Sequence, residues 1–214
     1  MKIVIKIGGS ISMEKGGPNS EYLLKLLKVI EEINKKHKIS LCIGGGKFVK
    51  NYSKNIERFK LKNKEREECF IELMKANVKL LSLITNKKPI YSLEDYEGEE
   101  AVISGIKPGR STDANAAKLA EIMNADLFIK LTDVDGIYNK DPNKNKNAKL
   151  LRKINYEELD KVKGEEKPLD YGILDPKAMK IIKENRIKTI LVNGKNPKNL
   201  LKVMEGKKIG TTIE

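Results

Sequence analysis

Five short apolar runs, separated by segments of helical period, constrain the fold of this chain more than any other feature. They are KIVIKI (2–7), ISLCI (39–43), AVISG (101–105), DLFIKL (126–131) and KTILVN (188–193). Each is compact and rich in β-branched residues, as expected of a parallel strand covered on both faces. Between them, SEYLLKLLKVIEEINKKH (20–37) carries apolar residues at Leu23, Leu24, Leu27, Val29 and Ile30. REECFIELMKANVKLLSLI (66–84), TDANAAKLAEIMN (112–124) and PKAMKIIKEN (176–185) follow with similar spacing. This alternation predicts an α/β fold, a mostly parallel sheet sandwiched between helices in three αβα layers. The 214 residues suffice for one domain with a real core. NKDPNKNKNAKL (139–150) and KVKGEEKPL (161–169) read as a turn and a loop within it.

The net charge of +13 invites a nucleic-acid reading. Lysine alternates with glutamate along the helical segments, however, and aromatic residues make up only 5 % of the chain. A base-stacking surface needs aromatics grouped with cations, and none are grouped. A heavily solvated, ion-pair-rich surface explains the charge, and no nucleic-acid partner is expected. No apolar run approaches the roughly 20 residues that cross a bilayer. The opening MKIVIKIGGS lacks the apolar core and cleavage site of a signal peptide, so a cytoplasmic protein with no membrane partner is expected. Cys42, in a strand-like run, and Cys69, in a helix-like one, read as buried thiols. His37 is the single histidine and suits a surface or capping role; neither a histidine triad nor a histidine metal cluster can be assembled around it. No protein metal site is expected.

Three glycine-rich breaks each follow a strand-like run: KIGGS (6–10), IGGGK (43–47) and SGIKPGRSTD (104–113). Ligands of open α/β sheets bind at the carboxyl ends of the strands. Glycine there lets backbone N–H groups approach phosphate oxygens, and a following helix N-terminus adds a favourable dipole. Three such breaks exceed what turn chemistry requires and point to a shared phosphate site. The chain has no G-x-x-x-x-G-K-[ST] and no G-x-G-x-x-G after its first strand, which excludes the P-loop and Rossmann solutions. In the third break, Lys107 and Arg110 stand beside a Ser111-Thr112-Asp113 helix start. A helix cap alone needs no such cations, so the stretch reads as an anion cradle.

A fourth segment, LTDVDGIYNKDP (131–142), has two readings. Thr132, Asp133 and Asp135 can bond a ribose or base, Tyr138 can cover a purine and Asp141 can take a hydroxyl. An Asp-Gly turn opening a hairpin would use the same residues.

The order KIGGS, GGGK, PGRSTDANAAKLAE, TDVDGIYNKDP, LDPKAMKII and GTTIE resembles the amino acid kinase superfamily over nearly the whole chain, and within it most closely the archaeal-type uridylate (UMP) kinases. The resemblance implies an ATP-dependent kinase with magnesium (Mg2+) accompanying the nucleotide, UMP as acceptor, and a homo-oligomer, a hexamer in that family. It divides the chain into an acceptor-binding part, about 1–125, and an ATP-binding part, about 126–214. The ATP site would comprise Lys6, Ile7, Gly8, Gly9, Ser10, Gly45, Lys50, Thr132, Asp133, Tyr138 and Asp141. Lys50 stands where the family often has arginine. The acceptor site would comprise Gly44, Glu67 (for the ribose, where uridylate kinases carry Asp), Ile106, Lys107, Pro108, Gly109, Arg110, Ser111 and Thr112.

As catalytic residues the resemblance implies Lys6, Asp113 and Lys177. Lys6 would neutralise the transferring phosphoryl group, and Asp113 would orient the lysines. Lys177 resembles a second lysine of acetylglutamate-type members, although a solvent-facing residue at a helix start fits it equally. The family's His-Pro-Gly-His-Thr-Thr is Lys107-Pro108-Gly109-Arg110-Ser111-Thr112 here, and its Thr-Asn-Val-Asp is Thr132-Asp133-Val134-Asp135. Another small phosphorylated acceptor, such as isopentenyl phosphate, and a non-catalytic nucleotide-binding regulator are the competing readings.

Overall fold

In the first strand, β1 (Lys2–Ile7), Ile3, Ile5 and Ile7 turn to one face of a sheet and Val4 to the other, all fully buried. This is a computed structural model, and it describes residues 1–140, 142, 144–159 and 173–214. The 139–150 segment is described except for 141 and 143, whereas the 161–169 loop lies outside the described residues. The other strands are β2 (Lys38–Ile43), β3 (Lys88–Pro89), β4 (Ala101–Ile103), β5 (Leu127–Thr132), β6 (Lys153–Ile154), β7 (Thr189–Asn193) and β8 (Thr211–Ile213). They form one sheet in the order β3-β4-β2-β1-β5-β7-β8-β6. Neighbours are parallel except β7 and β8, which are antiparallel. The chain fills the sheet leftward from β1 and then returns to place β5 on its other side, so the order reverses at the β1–β5 pair.

The helices are α1 (Gly9–Ser12), α2 (Ser20–Asn34), α3 (Gly46–Asn55), α4 (Asn63–Thr85), α5 (Thr112–Met123), α6 (Pro176–Glu184) and α7 (Lys198–Met204). Leu23, Leu26 and Ile30 of α2, Val78 and Leu81 of α4, and Leu200 and Val203 of α7 cover the face of Ile3, Ile5 and Ile7. The opposite face, that of Val4 and Phe128, is covered by Ala116, Ala117 and Ala120 of α5 and by Ala178, Met179 and Ile182 of α6. Alanines let α5 lie close to the strands. Three layers result, with a core on each side of the sheet, as the alternation of elements predicted.

Helix boundaries follow local chemistry. Asn19 caps α2 by accepting from the Tyr22 N–H, and Ser111 caps α5 by accepting from that of Ala114. Asp175 accepts from the Lys177 and Ala178 N–H groups at the start of α6, where Pro176 supplies a preset φ. Helix α2 ends at Asn34, short of the expected residue 37, and His37 instead lies beside the amino terminus, Nδ1 3.4 Å from the Met1 nitrogen. Leu24 was expected on the apolar face but is 59 % exposed. The true buried stripe, Tyr22, Leu23, Leu26, Val29, Ile30 and Ile33, keeps the 3.6-residue period and leaves Leu24 on the solvent side. Cys42 is buried as expected, but Cys69 is only half-buried, because the apolar contact of α4 is made lower down, through Val78 and Leu81. Both are free thiols.

Strand β8 sits between β7 and β6, so residues 211–213 fill a gap inside the sheet and do not extend its edge. Glu214, just beyond, pairs with Lys188 at 2.7 Å and Lys153 at 3.1 Å. No helix among the described residues is long and apolar enough to cross a membrane.

Candidate active site

Strand parity decides which side chains meet. Lys6 and Lys130 pair across β1 and β5, and Lys6 and Cys42 pair across β1 and β2. Lys6 follows Val4 by two residues and Lys130 follows Phe128 by two, so both lysines turn to the α5 face. Asp113, in the first turn of α5, meets them there. Its Oδ1 lies 3.1 Å from Lys6 Nζ and its Oδ2 2.5 Å from Lys130 Nζ. Relative exposures are 6 % for Lys6, 7 % for Asp113 and 2 % for Lys130. One carboxylate is thus divided between two buried ammonium groups at the point where the strand order reverses.

Electrostatics follow from that burial. Burial favours the neutral form of Asp113, but Lys130 and then Lys6 outweigh it and hold the carboxyl below its usual range. Burial pulls the Lys130 ammonium below the ordinary lysine range, with Asp113 opposing. The Cys42 thiol beside them is pushed up to about 12 by burial, and its S–H donates to the Thr112 carbonyl at 3.2 Å. It is a packing residue, not a nucleophile.

Two glycine loops wall the cluster. Gly9 and Gly46 touch backbone to backbone: a Cβ on Gly46 would stand 1.9 Å from the Gly9 oxygen, and one on Gly9 would stand 2.3 Å from the Gly46 nitrogen. Gly46 also has φ +50°. Gly44 lies against Lys6, whose Nζ would be 3.3 Å from a Cβ there. The glycines are needed for this approach, so Gly46→Ala has a clear expected outcome. The left-handed backbone alone costs about 1–2 kcal/mol, or about 2–8 °C in Tm for a chain of this size. Activity should fall as the loops part, and a thermal melt alongside an assay checks both.

The third loop is anchored at its base. The Ser104 hydroxyl donates to the Ile43 carbonyl, and Asn115 Nδ2 donates to the Ser104 carbonyl at 2.9 Å. Met74 of α4 fills the space beside Gly45 and Gly105. Ile106, Lys107, Pro108, Gly109 and Arg110 then lead to Ser111 and Thr112, with Lys107, Gly109 and Ser111 exposed. Glu67 reaches this loop from α4 and accepts from the Gly109 N–H at 2.7 Å. Lys177 reaches it from α6.

Past β5, Thr132 is buried and its hydroxyl is 3.3 Å from Asp133 Oδ1. Asp135 accepts from Asn193 Nδ2 at 2.9 Å and lies 3.4 Å from the half-buried Tyr138 hydroxyl. Tyr138 and Leu150 form an antiparallel bridge, so the segment is a hairpin, and its side chains still face the strand ends. The hairpin reading of the sequence therefore holds. Thr211 of β8 supports it, accepting from the Ile137 N–H at 2.8 Å and donating to the Leu151 carbonyl at 2.6 Å. Asp141 lies outside the described residues.

The structure brings Lys6, Asp113 and the loops Ile7–Ser10 and Gly44–Gly46 together, and sets the 105–112 loop beside Glu67 and Lys177. Lys50 is different: it is exposed on α3 and its side chain makes no hydrogen bond or ion pair with a described residue. Lys130, Asp175 and Thr211 escaped the sequence reading. For Lys130 a signal existed, a lysine within an otherwise apolar run, next to last in DLFIKL as Lys6 is in KIVIKI.

These features define an α/β protein that gathers positive charge and backbone N–H groups at the carboxyl ends of its strands. The chain matches the amino acid kinase family over residues 1–91 and 92–193, and it belongs to that family. It is 34 % identical over 225 aligned positions to a uridylate kinase of Pyrococcus abyssi, covering all of both chains. It is 35 % identical to that of Methanobrevibacter smithii, covering 100 % of this chain and 99 % of the other. The crystal structure of uridylate kinase from Archaeoglobus fulgidus superposes with a TM-score of 0.86 at 29 % identity, covering both chains fully. An isopentenyl phosphate kinase of T. acidophilum shares the fold at a TM-score of 0.66 and 23 % identity.

Proposed function

We propose that the chain transfers the γ-phosphoryl group of ATP to UMP, giving UDP and ADP. An oxygen of the acceptor phosphate forms the new bond to the γ-phosphorus as the bond to the ADP oxygen breaks. No protein nucleophile is required, and the chain's task is to position reactants and neutralise charge. The observation that carries this reading is the division of Asp113 between Lys6 and Lys130. Half-neutralised by a shared carboxylate, Lys6 keeps an attraction for a phosphoryl group beside Gly44, in a site whose low dielectric strengthens it. The full-length similarity to uridylate kinases supports the acceptor.

In this reading Lys6 contacts the phosphoryl group in flight and Asp113 fixes both lysines. Ile7–Ser10 and Gly45 line the phosphates of ATP, with Thr132, Asp133 and Tyr138 toward its nucleoside; Lys50 would have to swing inward to join them. Gly44 and residues 106–112 hold the acceptor phosphate, and Glu67 its ribose, a carboxylate having acceptor sites for ribose and Gly109 N–H together. Residues 1–125 then serve mainly the acceptor and 126–214 mainly ATP. Among the described residues no group of three or more His, Cys, Asp and Glu side chains is placed to hold a metal ion. Magnesium would enter on the phosphates of ATP, as it does where substrate supplies most ligands. Self-association would cover Leu80, Leu83 and Ile84, exposed on α4, and equilibrium sedimentation tests it.

The test of function is ADP release from Mg-ATP with UMP, CMP, AMP, isopentenyl phosphate and acetylglutamate in turn. Turnover with UMP well above the others is expected. Preference for another phosphate reassigns the acceptor, and silence across the panel with ATP still bound overturns the kinase reading.

A further inference from the structure

Gly109 is held at both of its backbone polar groups. Its N–H donates to Glu67 Oε2 at 2.7 Å, and its carbonyl accepts from Lys177 Nζ at 2.5 Å. The two side chains come from different helices, α4 and α6. Two residues on, the Ser111 hydroxyl donates to Asp175. Ser111 caps α5 and Asp175 caps α6, so this bond joins the two helix starts. Gly109 itself is exposed, and a Cβ there would meet nothing within 4 Å. Packing does not fix the tip of this loop, and polar ties do.

We propose that Lys177 is a positioning residue for the acceptor loop and does not act on the transferred group. Its ammonium is spent on a carbonyl oxygen at the loop tip, whereas the lysines that meet Asp113 are Lys6 and Lys130. Asp175 directs it, since the same carboxylate that receives Ser111 also receives the Lys177 N–H at 2.8 Å and so sets the first turn from which the side chain departs. Glu67 pulls the Gly109 N–H while Lys177 pulls its carbonyl, and each bond to a charged group is of the stronger kind. Together they hold Lys107 and Arg110, the cations on either side of the tip, in one arrangement before an acceptor arrives. The inference rests on the reading of residues 106–112 as the acceptor-phosphate loop.

The experiment compares wild type, Lys177→Met and Lys177→Arg in steady-state kinetics for both substrates, with hydrogen exchange of the ligand-free proteins. Lys177 is exposed, so its replacement leaves the fold intact, which a melt verifies. For Lys177→Met the KM for UMP is expected to rise about 10-fold to 100-fold, the loss of a charge-assisted bond. The kcat and the KM for ATP should stay within about twofold of wild type. Exchange across 105–111 should quicken. Lys177→Arg should recover most of the KM, because a guanidinium can donate to the same carbonyl. A large loss of kcat with KM unmoved would make Lys177 catalytic and overturn the proposal, and so would unchanged kinetics. The exchange measurement needs no acceptor. If wild type turns over none of the panel, faster exchange in Lys177→Met still upholds the tie while the function reading fails, and unchanged exchange removes the tie.

Discussion

A Lys6→Met variant is expected to keep its fold and its grip on ATP while losing about 10²–10³-fold in kcat, the scale for removing one preorganised group that stabilises developing charge. The structure explains why the loss is confined to turnover. Without Lys6, Asp113 and Lys130 remain as a one-to-one pair at 2.5 Å, so no buried charge is stranded. Methionine fills similar volume against Gly44, and because Asp113 keeps Lys130 the penalty of an uncompensated buried charge does not arise. Tm should therefore move little, and nucleotide affinity, read by calorimetry, should stay within a few-fold. Full activity in this variant would remove Lys6 from the mechanism.

Asp113→Asn should behave in the opposite sense, losing stability as well as turnover. Removing the anion leaves the Lys6 and Lys130 ammonium groups facing one another in a buried site, and breaking a buried pair in this way costs about 3–5 kcal/mol. For a chain of this size that is about 6–20 °C in Tm. The pH dependence adds a check. The Asp113 carboxyl is held below its usual range in the folded state, so its stabilising contribution is present above the unfolded carboxyl pKa of about 4. That contribution is lost as pH falls through the lower, folded pKa. The gap in Tm between wild type and Asp113→Asn should thus be full at neutral pH and narrow in acid. A gap that is independent of pH would mean that the charge of Asp113 is not what holds the cluster.

The layered architecture was legible because each central strand announces itself twice. In β1, Ile3, Val4, Ile5 and Ile7 are buried on both faces, and in β2 and β5 the same pattern recurs. Short elements were not legible. Helix α3 buries no residue fully, and its apolar face is only the half-buried Phe48, Val49 and Tyr52, too short a stripe to stand out; β3 and β6 are two residues each. Leu24 illustrates a further limit, since a leucine-rich helix offers two adjacent faces and only the sheet decides between them. In the site, Lys6 and Asp113 were legible from glycine breaks and family order. Lys130 stood out only as a lysine in an apolar run; its role was not legible, because it arises from pairing with Lys6 across strands far apart in sequence. Asp175 was hidden in the same way: as an N-cap it needs no partner, and only the fold brings Ser111 to it.

The place of β8 has a consequence for synthesis on the ribosome. Residues 211–213 fill the gap between β7 and β6, so until they emerge β6 lacks its neighbour and β7 exposes one side. At about 5–20 residues per second β6 waits roughly 3–11 seconds for β8 and β7 roughly 1–4 seconds, and an unpaired strand side is a template for another nascent chain. Lys153 lies in β6 and Lys188 just before β7, and cations at open strand sides discourage such pairing. When β8 docks, Glu214 arrives with it and is shared between the two lysines. The charges that guard the gap while it is open become the ion pairs that fasten it once it closes.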